Sequence, residues 1–316
     1  MPEEFTNMTI MTEFLLMGFP DDSTIQTLHA ALFFIIYLAA LMGNFLIVTL
    51  TTIDQHLQTP MYFFLKNLSL IDICYISVTV PKSIMDSLTN SHTISFLGCA
   101  SQLFLVIFFA GTEYALLIVM AYDRYAAICR PLHYETMMSS GACVRMVTAS
   151  WFSGCVYGSI HVTGTFSVNF CGQNIVQQFF CDVPSLLTLA CSGEHILESA
   201  FIIASCCFAF VCFILMVVSY VHIFSTVLRI PSVKGRMKAF STCIPHLTVV
   251  TLFLFSGIIT YLAKNLKSTS SLKMLISVFY TVLPPTLNPL IYSLRNKDMK
   301  MALGKLIARK MSSIFP

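Results

Sequence analysis

Two carboxylic acids lie in the middle of strongly apolar stretches of this sequence. Asp72 is part of Leu-Ser-Leu-Ile-Asp-Ile-Cys, and Glu113 is part of Ala-Gly-Thr-Glu-Tyr-Ala. An acid inside a bilayer costs about 2.5–3.5 kcal/mol on insertion scales, so such a residue is a functional candidate by default. If the two acids are neighbours, they would share a proton or hold a small cation. The alternative is that both are protonated and only hydrogen-bond one helix to another.

A second candidate is the acid–base pair Asp123-Arg124, which lies at the end of the apolar stretch 98–129. An acid next to an arginine at a membrane boundary can form a local ion pair, and a partner that enters from the cytosol could break it. The alternative is that Arg124 only extends its charged head to the interface. The residues alone do not decide between the two.

Cysteine usage predicts disulfides rather than a metal site. Eight of the 12 cysteines lie in or beside apolar stretches and are typical of small packing residues. The other four would face an oxidising compartment, where disulfides persist. Their even number predicts two bridges, with three pairings open: Cys99, Cys171, Cys181 and Cys191. Spacings such as Cys-x9-Cys and scattered histidines do not match metal sites, and no nucleophile–base set indicates an enzyme.

The elements that must position these residues are membrane helices. The chain has 316 residues, of which 56% are hydrophobic and 10% charged, whereas soluble domains have roughly 25% charged residues. A membrane-spanning helix needs about 20 mostly apolar residues. Seven such stretches predict an all-α membrane protein, a bundle of seven transmembrane helices, over 26–50, 59–80, 98–129, 142–162, 198–228, 237–262 and 271–292.

Charge placement predicts the orientation of this bundle. With the N-terminus outside, 14 of the 18 Lys and Arg residues fall on the cytosolic side, as the positive-inside rule requires. An even number of spans loses this bias. Residues 1–25 are then an acidic extracellular tail, with no cleavable signal peptide expected and with a glycosylation pattern at Asn7-Met8-Thr9.

The segment after the last span, residues 293–316, is predicted to be cytoplasmic. Basic and apolar residues alternate from Arg295 to Lys310, which is typical of an amphipathic helix on the inner leaflet. A frayed basic tail is the alternative. No basic run with interleaved aromatic residues is present, so nucleic-acid binding is not expected.

Several stretches, spread over the whole chain, resemble the motifs of odorant receptors, which belong to the rhodopsin-like G-protein-coupled receptors. They are Gly43-Asn44, Leu57-Gln-Thr-Pro-Met-Tyr-Phe-Phe-Leu65, Met120-Ala-Tyr-Asp-Arg-Tyr-Ala-Ala-Ile-Cys129, Pro131-Leu-His-Tyr134, Lys238-Ala-Phe-Ser-Thr-Cys243 and Leu287-Asn-Pro-Leu-Ile-Tyr-Ser-Leu-Arg-Asn-Lys297. The resemblance implies a plasma-membrane receptor whose partners are a small volatile odorant, membrane lipid and a stimulatory olfactory-type G protein that raises cyclic AMP.

The resemblance also implies roles for particular residues. The G-protein coupling switch would comprise Asp123, Arg124, Tyr125, Asn288, Pro289 and Tyr292. Asp72, Glu113 and Asn288 would form an ion pocket, with sodium as its expected ion and no other cofactor. Cys99 would pair with Cys181, which leaves Cys171 for Cys191, although a bridge from Cys99 to Cys191 stays open.

The odorant would lie between the third, fifth, sixth and seventh spans, under the long outer loop. Mostly apolar side chains with a few hydroxyls suit a small volatile molecule, and each of them could instead pack one helix on another. The implied lining residues are Val106, Ile107, Ala110, Gly111, Ser205, Phe208, Gly257, Ile258, Tyr261, Val278 and Thr281.

The chain departs from the family pattern in the sixth span. Pro245 stands where many members have a serine, and Leu254-Phe255 replaces a Tyr-Gly pair. Pro245 would kink the helix earlier and so change its expected pivot. Leu254-Phe255 lacks the toggle hydroxyl of the family, so activation would rely on packing instead. The alternative function is an ion- or proton-coupled transporter built around Asp72 and Glu113, which would need a polar path to both faces.

Overall fold

The computed structural model describes residues 12–17, 23–89, 91–171, 174–191, 196–265, 270–295 and 297–314. Within these ranges, the side chains of residues 196–199, 238, 256–265, 270–274, 293–295, 297 and 309–314 are not described. The predicted glycosylation site at Asn7 therefore lies outside the described residues.

Helices dominate the described chain, and seven of them are long. In chain order they are α1 (Ser23–Ile53), α2 (Pro60–Thr89), α3 (Phe96–Cys129), α4 (Tyr134–Met137), α5 (Ser140–Phe166), α6 (Val183–Leu187), α7 (Ile196–Leu228), α8 (Val233–Asn265), α9 (Ser270–Arg295) and α10 (Lys297–Ile314). Two short 3-10 turns, Gln55–Leu57 and Pro131–His133, begin the loops after α1 and after α3. These loops lie at the end of the bundle that the sequence predicts to be cytosolic; we call it the inner end and the opposite one the outer end.

Six of the long helices are apolar enough to cross a membrane by length and composition: α1, α2, α3, α7, α8 and α9. The other long helix, α5, has 27 residues and so extends about 40 Å at 1.5 Å per residue. Many glycine, serine and threonine residues make α5 less apolar, and it packs against α3. Together these helices confirm the predicted bundle of seven membrane helices.

Close packing of α5 on α3 depends on two glycines spaced one turn apart. Gly154 lies directly against the α3 backbone at Phe108 and Thr112, and Gly158 lies against the ring and carbonyl of Phe104. Small residues allow the backbones of membrane helices to approach closely, which increases their van der Waals contact. The weakly apolar α5 is thereby held to the central helix of the bundle.

A three-stranded sheet caps the outer end of the bundle. Strand β1 (Glu13–Leu16) lies between β2 (Thr93–Ser95), to which it is antiparallel, and β3 (Ile175–Val176), to which it is parallel. Phe14 and Leu16 are fully buried in the apolar cluster under the outer loop. Part of the segment that the sequence predicts as a tail is therefore a packed structural element.

The amphipathic helix expected after the last span is present as α10. Met299 and Ala302 are buried against the bundle, while Lys300 and Lys305 are exposed. The Nζ atom of Lys305 lies 3.8 Å from a carboxylate oxygen of Asp54 at the inner end of α1. The lysine of this ion pair is exposed, so the pair contributes at most about 1 kcal/mol; apolar burial holds the helix in place.

Candidate functional site

Asp72 on α2 and Glu113 on α3 meet in the middle of the bundle, as the sequence predicts. The Nδ2 atom of Asn288 on α9 donates to both carboxyl groups, at 3.0 and 3.2 Å from the oxygens of Asp72 and 3.2 Å from Oε1 of Glu113. All three residues are buried. No lysine or arginine forms an ion pair with either acid in the part of the chain that the structure describes. The pair must therefore share protons or hold a cation to remain buried.

Asn44 of the Gly43-Asn44 motif satisfies a carbonyl that proline leaves free. Pro289 has no N–H, so the carbonyl of Pro285 one turn earlier loses its helical donor. Nδ2 of Asn44 donates to that carbonyl at 2.8 Å and to the carbonyl of Ala40 at 3.0 Å. A Cβ at Gly43 would lie 2.9 Å from the ring of Pro289. The Gly43-Asn44 pair thus lets α1 approach the proline-containing turn of α9 and repair it.

Asp123 forms an ion pair with Arg124 at the inner end of α3. The Nε atom of Arg124 donates to Oδ2 of Asp123 at 3.0 Å, and its Nη2 also contacts that oxygen. Tyr134 on α4 completes the arrangement, since its hydroxyl donates to Oδ1 of Asp123 at 2.8 Å. Burial, and after it the charge of Asp123, raises the pKa of Tyr134 above its ordinary value, which keeps the phenol a hydrogen-bond donor. We call this set of three residues the inner latch.

Tyr125, also predicted to be part of the switch, lies outside the latch and makes an edge contact with the ring of His222 on α7, with centroids 6.5 Å apart. Tyr292 on α9 is buried, and its hydroxyl has no hydrogen-bond partner among the described residues. The hydroxyl of Tyr292 therefore does not hydrogen-bond to the described switch residues on α3 in this conformation.

A buried histidine joins three helices just above the latch. Nδ1 of His246 on α8 lies 2.6 Å from the hydroxyl of Tyr220 on α7, and Nε2 lies 3.0 Å from the carbonyl of Leu117 on α3. The carbonyl can only accept, so Nε2 carries the proton and Nδ1 accepts from the tyrosine. The sequence signals His246 only as a polar residue in an apolar span. Neither of its partners could be identified by spacing, because they lie on other helices.

The outer loop between α5 and α7 is fixed by two disulfides and a glutamine. Cys99 is bonded to Cys181, and Cys171 to Cys191, which is the pairing that the resemblance implies. Gln102, one turn after Cys99, accepts from the backbone N–H of Cys181 at 2.9 Å and donates to the carbonyl of Val78 at 3.1 Å. The loop is therefore held to α2 and α3 by polar contacts as well as by a covalent bond.

The predicted lining residues on α3 and α9 lie mostly inside the bundle. Val106 and Thr281 are buried, and Ala110 and Val278 are half-buried beside the main core. Ile107 packs against the cluster under the outer loop. The side chains of Gly257, Ile258 and Tyr261 lie outside the described residues.

Two predicted lining residues point away from the bundle interior, and one is already bonded. Phe208 is 69% exposed and faces outward from α7, because the highly apolar α7 presents much of its surface to lipid. Gly111 faces α5, since a Cβ there would lie 3.1 Å from the ring of Tyr157. Ser205 forms a 3.0 Å hydrogen bond with Nε2 of His161 on α5.

Comparison with known proteins gives one consistent family. The sequence model described as "Olfactory receptor" matches residues 33–310. Human olfactory receptor 14A16 is 55% identical over 97% of this chain and 99% of its own length. Human olfactory receptor 14L1 is 55% identical over 95% of this chain and 92% of its own length. Human olfactory receptor 14J1 is 53% identical over 96% and 95% of the two lengths.

Proposed function

The chain belongs to the olfactory receptor family, and on that premise we propose that a small volatile molecule, bound in the outer half of the bundle, activates a stimulatory olfactory-type G protein and raises cyclic AMP. The inner latch carries the proposal. An arginine held by an adjacent aspartate, and within reach of the cytosol, is a contact that a protein partner can replace. The family consists of receptors rather than enzymes, and the protein is a multi-pass protein of the plasma membrane.

The sheet and the disulfides support an extracellular N-terminus. Strand β1 pairs with β3, which lies between Cys171 and Cys181 in the outer loop. Disulfides persist in the oxidising space outside the cell and are rare in the cytosol. Since β1 lies on the same side as both disulfides, the N-terminal segment is extracellular, and the seventh membrane helix then delivers α10 to the cytosol.

Transmission of the signal follows from the contacts that hold α8. His246 attaches the middle of α8 to α3 and α7 by two hydrogen bonds. A ligand shifts the balance between two arrangements only if it binds one of them more tightly. We infer that the odorant favours an arrangement in which these bonds break and the inner end of α8 moves outward. That movement gives the G protein access to Arg124.

The inner surface beside the latch has a further feature suited to a protein partner. Leu132, in the turn after α3, is 95% exposed, although it lies outside the candidate membrane spans. A partner that covers this apolar side chain removes it from water, which favours binding. It lies two residues before Tyr134, so a partner that covers Leu132 also reaches the latch.

The buried acids suit a small cation, and we propose sodium as the ion. Carboxylate oxygens are the ligands that hard cations prefer, and Asp72 and Glu113 supply them. The amide of Asn288 presents its nitrogen to the acids, so it would hold the carboxylates in place instead of binding the ion. A bound sodium ion would neutralise one carboxylate while the other acid keeps its proton, and the ion would tie α2 to α3.

The decisive experiment compares two arginines on the inner face. Arg124→Ala removes the latch cation, whereas Arg145 is exposed near the start of α5 and forms no ion pair in the described part of the chain. Cells that carry each variant and a cyclic AMP reporter are exposed to a panel of volatile alcohols, aldehydes, ketones and acids. We expect Arg124→Ala to reach the surface but to lose the evoked signal, and Arg145→Ala to keep it.

Undiminished signalling by Arg124→Ala would contradict the role of the latch. A wild-type protein that responds to no odorant but conducts substrate across the membrane would instead support the transporter built around Asp72 and Glu113. Surface labelling in every sample separates loss of signalling from loss of folding.

A further inference from the structure

Two buried polar atoms at the outer end of the bundle have no hydrogen-bond partner among the described residues. They are Oγ1 of Thr79 on α2 and Oε1 of Gln178 in the outer loop. Thr79 is fully buried and Gln178 is 7% exposed. Buried polar atoms are paired in the great majority of cases, so each exception calls for an explanation.

Gln102 brings the two segments that carry these atoms together. Its amide bonds to the carbonyl of Val78 at 3.1 Å and to the N–H of Cys181 at 2.9 Å. Thr79 is the residue next to Val78, and Gln178 lies three residues before Cys181. The nitrogen and the oxygen of the Gln102 amide are both engaged in these bonds. The outer loop therefore lies on α2 and α3 at the level of Thr79.

Aromatic side chains form apolar walls beside this point. Phe179 contacts Phe33 of α1, with ring centroids 5.8 Å apart, and Phe180 contacts Tyr280 of α9 at 5.8 Å. Both loop aromatics belong to the main core of the bundle. The surroundings come from α1, α2, α3 and α9, whereas the odorant lining implied by the family resemblance comes from α3, α7, α8 and α9.

We propose that Thr79 and Gln178 form a subsite for the hydroxyl group of an aliphatic alcohol. A hydroxyl donates one hydrogen bond and accepts others. It would donate to Oε1 of Gln178 and accept from the hydroxyl of Thr79, so one group satisfies both atoms. Ethers, aldehydes and ketones only accept, and they leave Gln178 unpaired. This inference rests on the proposed function, because it takes the alcohol to be one of the volatile ligands of the receptor.

Binding to the purified full-length receptor tests the subsite without any signalling. Primary alcohols of six to ten carbons are compared with methyl ethers of the same chain length, and binding is measured from the shift of the thermal unfolding midpoint with ligand concentration. An ether oxygen still accepts from Thr79 but cannot donate to Gln178, and one hydrogen bond contributes roughly a 5-fold gain in affinity, so we expect the alcohols to bind about 5-fold more tightly than the ethers.

Two near-isosteric variants test the two hydrogen bonds separately. Gln178→Leu should abolish the roughly 5-fold alcohol preference, whereas Thr79→Val should lower the affinity for alcohols and ethers alike by roughly 5-fold. Both should raise the unfolding midpoint of the unliganded receptor, because each removes a buried polar atom without a partner. Thr51→Val is the matched control: Thr51 is buried, but it already donates to the carbonyl of Ile47 at 2.7 Å, and neither the alcohol affinity nor the alcohol preference should change.

Equal affinity of the wild type for alcohols and ethers would overturn the subsite, as would an unchanged alcohol preference in Gln178→Leu or an unchanged alcohol affinity in Thr79→Val. The cyclic AMP assay tests the proposed function separately from the subsite. Alcohols that bind with the expected preference but never signal would contradict the proposed function and leave the subsite standing. Odorants that evoke a signal from a receptor that binds alcohols and ethers equally would contradict the subsite and leave the proposed function standing.

Discussion

Replacing Gly154 by alanine tests how closely α5 packs on α3. A Cβ at this position would lie 2.6 Å from the carbonyl oxygen of Phe108 and 2.9 Å from the backbone nitrogen of Thr112. Carbon–oxygen contacts of this kind settle at about 3.3 Å. The helices would have to separate by about 0.7 Å, because backbone atoms of a helix cannot rotate away as the end of a side chain can.

Two opposing effects set the size of the destabilisation. Overpacking a tight core costs about 1–3 kcal/mol, while alanine gains about 1 kcal/mol over glycine in a helix. Two of the three clashes at Gly154 are with rigid backbone atoms, and the third is with the side-chain hydroxyl of Thr112. We therefore expect overpacking near the upper end of its range and a net loss of about 2 kcal/mol, which is a lowering of the unfolding midpoint by roughly 5 °C. Thermal unfolding of the detergent-purified receptor, followed with a thiol-reactive dye, measures it.

Two other glycines of the same helix provide the controls. At Gly158 a Cβ would lie 3.2 Å from the ring and carbonyl of Phe104, whereas at Gly141 nothing lies within 4 Å. Gly158→Ala should therefore lower the midpoint less than Gly154→Ala, and Gly141→Ala should leave it unchanged or raise it slightly. If Gly154→Ala unfolds at or above the wild-type temperature, the contact between α3 and α5 is not the one described.

Two further predictions concern the inner face. Tyr134→Phe removes a hydrogen bond to the buried carboxylate of Asp123, a contact worth about 1.5–3 kcal/mol, so basal cyclic AMP should rise; unchanged basal signalling at equal surface expression would show that the latch does not restrain the receptor. Burial, and after it the charge of Asp123, raises the pKa of Tyr134 above its ordinary value. The stability that Tyr134 contributes is therefore complete below about pH 10, the ordinary pKa of tyrosine, and is lost only as the pH rises through the raised pKa. The basal signal should accordingly not vary with the ionisation of Tyr134 between about pH 6 and 8. Leu132→Asp should weaken G-protein activation without changing odorant affinity, which a nucleotide-exchange assay on purified receptor and G protein can measure; normal exchange would exclude Leu132 from the interface.

The spans were predictable because the bilayer requires long apolar helices, but helix ends were less so. The sequence predicts the second span over 59–80, whereas α2 extends to Thr89. Its last turns contain Lys82 and Asp86, which pair with each other, and Lys82 also donates to the carbonyl of Thr93 at 3.0 Å. Hydropathy detects where a helix leaves the hydrocarbon, not where its backbone hydrogen bonds end.

Strand β1 shows what local sequence could not predict. Glu13-Phe-Leu-Leu16 is short and follows an acidic segment, so nothing in it indicates a buried strand. Its partners β2 and β3 lie about 80 and 160 residues further along the chain, and pairing over such distances depends on the whole fold. The exposure of Phe208 has the same origin, since only the assembled bundle decides which face of the uniformly apolar α7 meets lipid.

The polar centre was predictable in its acids and unpredictable in its neighbours. Asp72 and Glu113 are noticeable because each interrupts an apolar stretch, and burial forces such groups to find a partner. Asn44 and His246 satisfy backbone carbonyls of other helices, at Pro285 and Leu117. A carbonyl that needs a donor is not marked by any side chain, so these contacts follow only from the structure.

The arrangement of polar contacts indicates which helix moves and which stays. Helix α3 is bonded to the outer loop at Cys99 and Gln102, and Gly154 of α5 locks it in close backbone contact. A close-packed interface of this kind cannot slide by a fraction of a turn without clashes. Near the inner latch, by contrast, α8 is attached to α3 and α7 through the two hydrogen bonds of His246, which can exchange for others at a modest cost. We therefore expect the proposed activation to move α8 against a fixed α3, and a substitution that loosens α3, such as Gly154→Ala, should impair stability before it changes signalling.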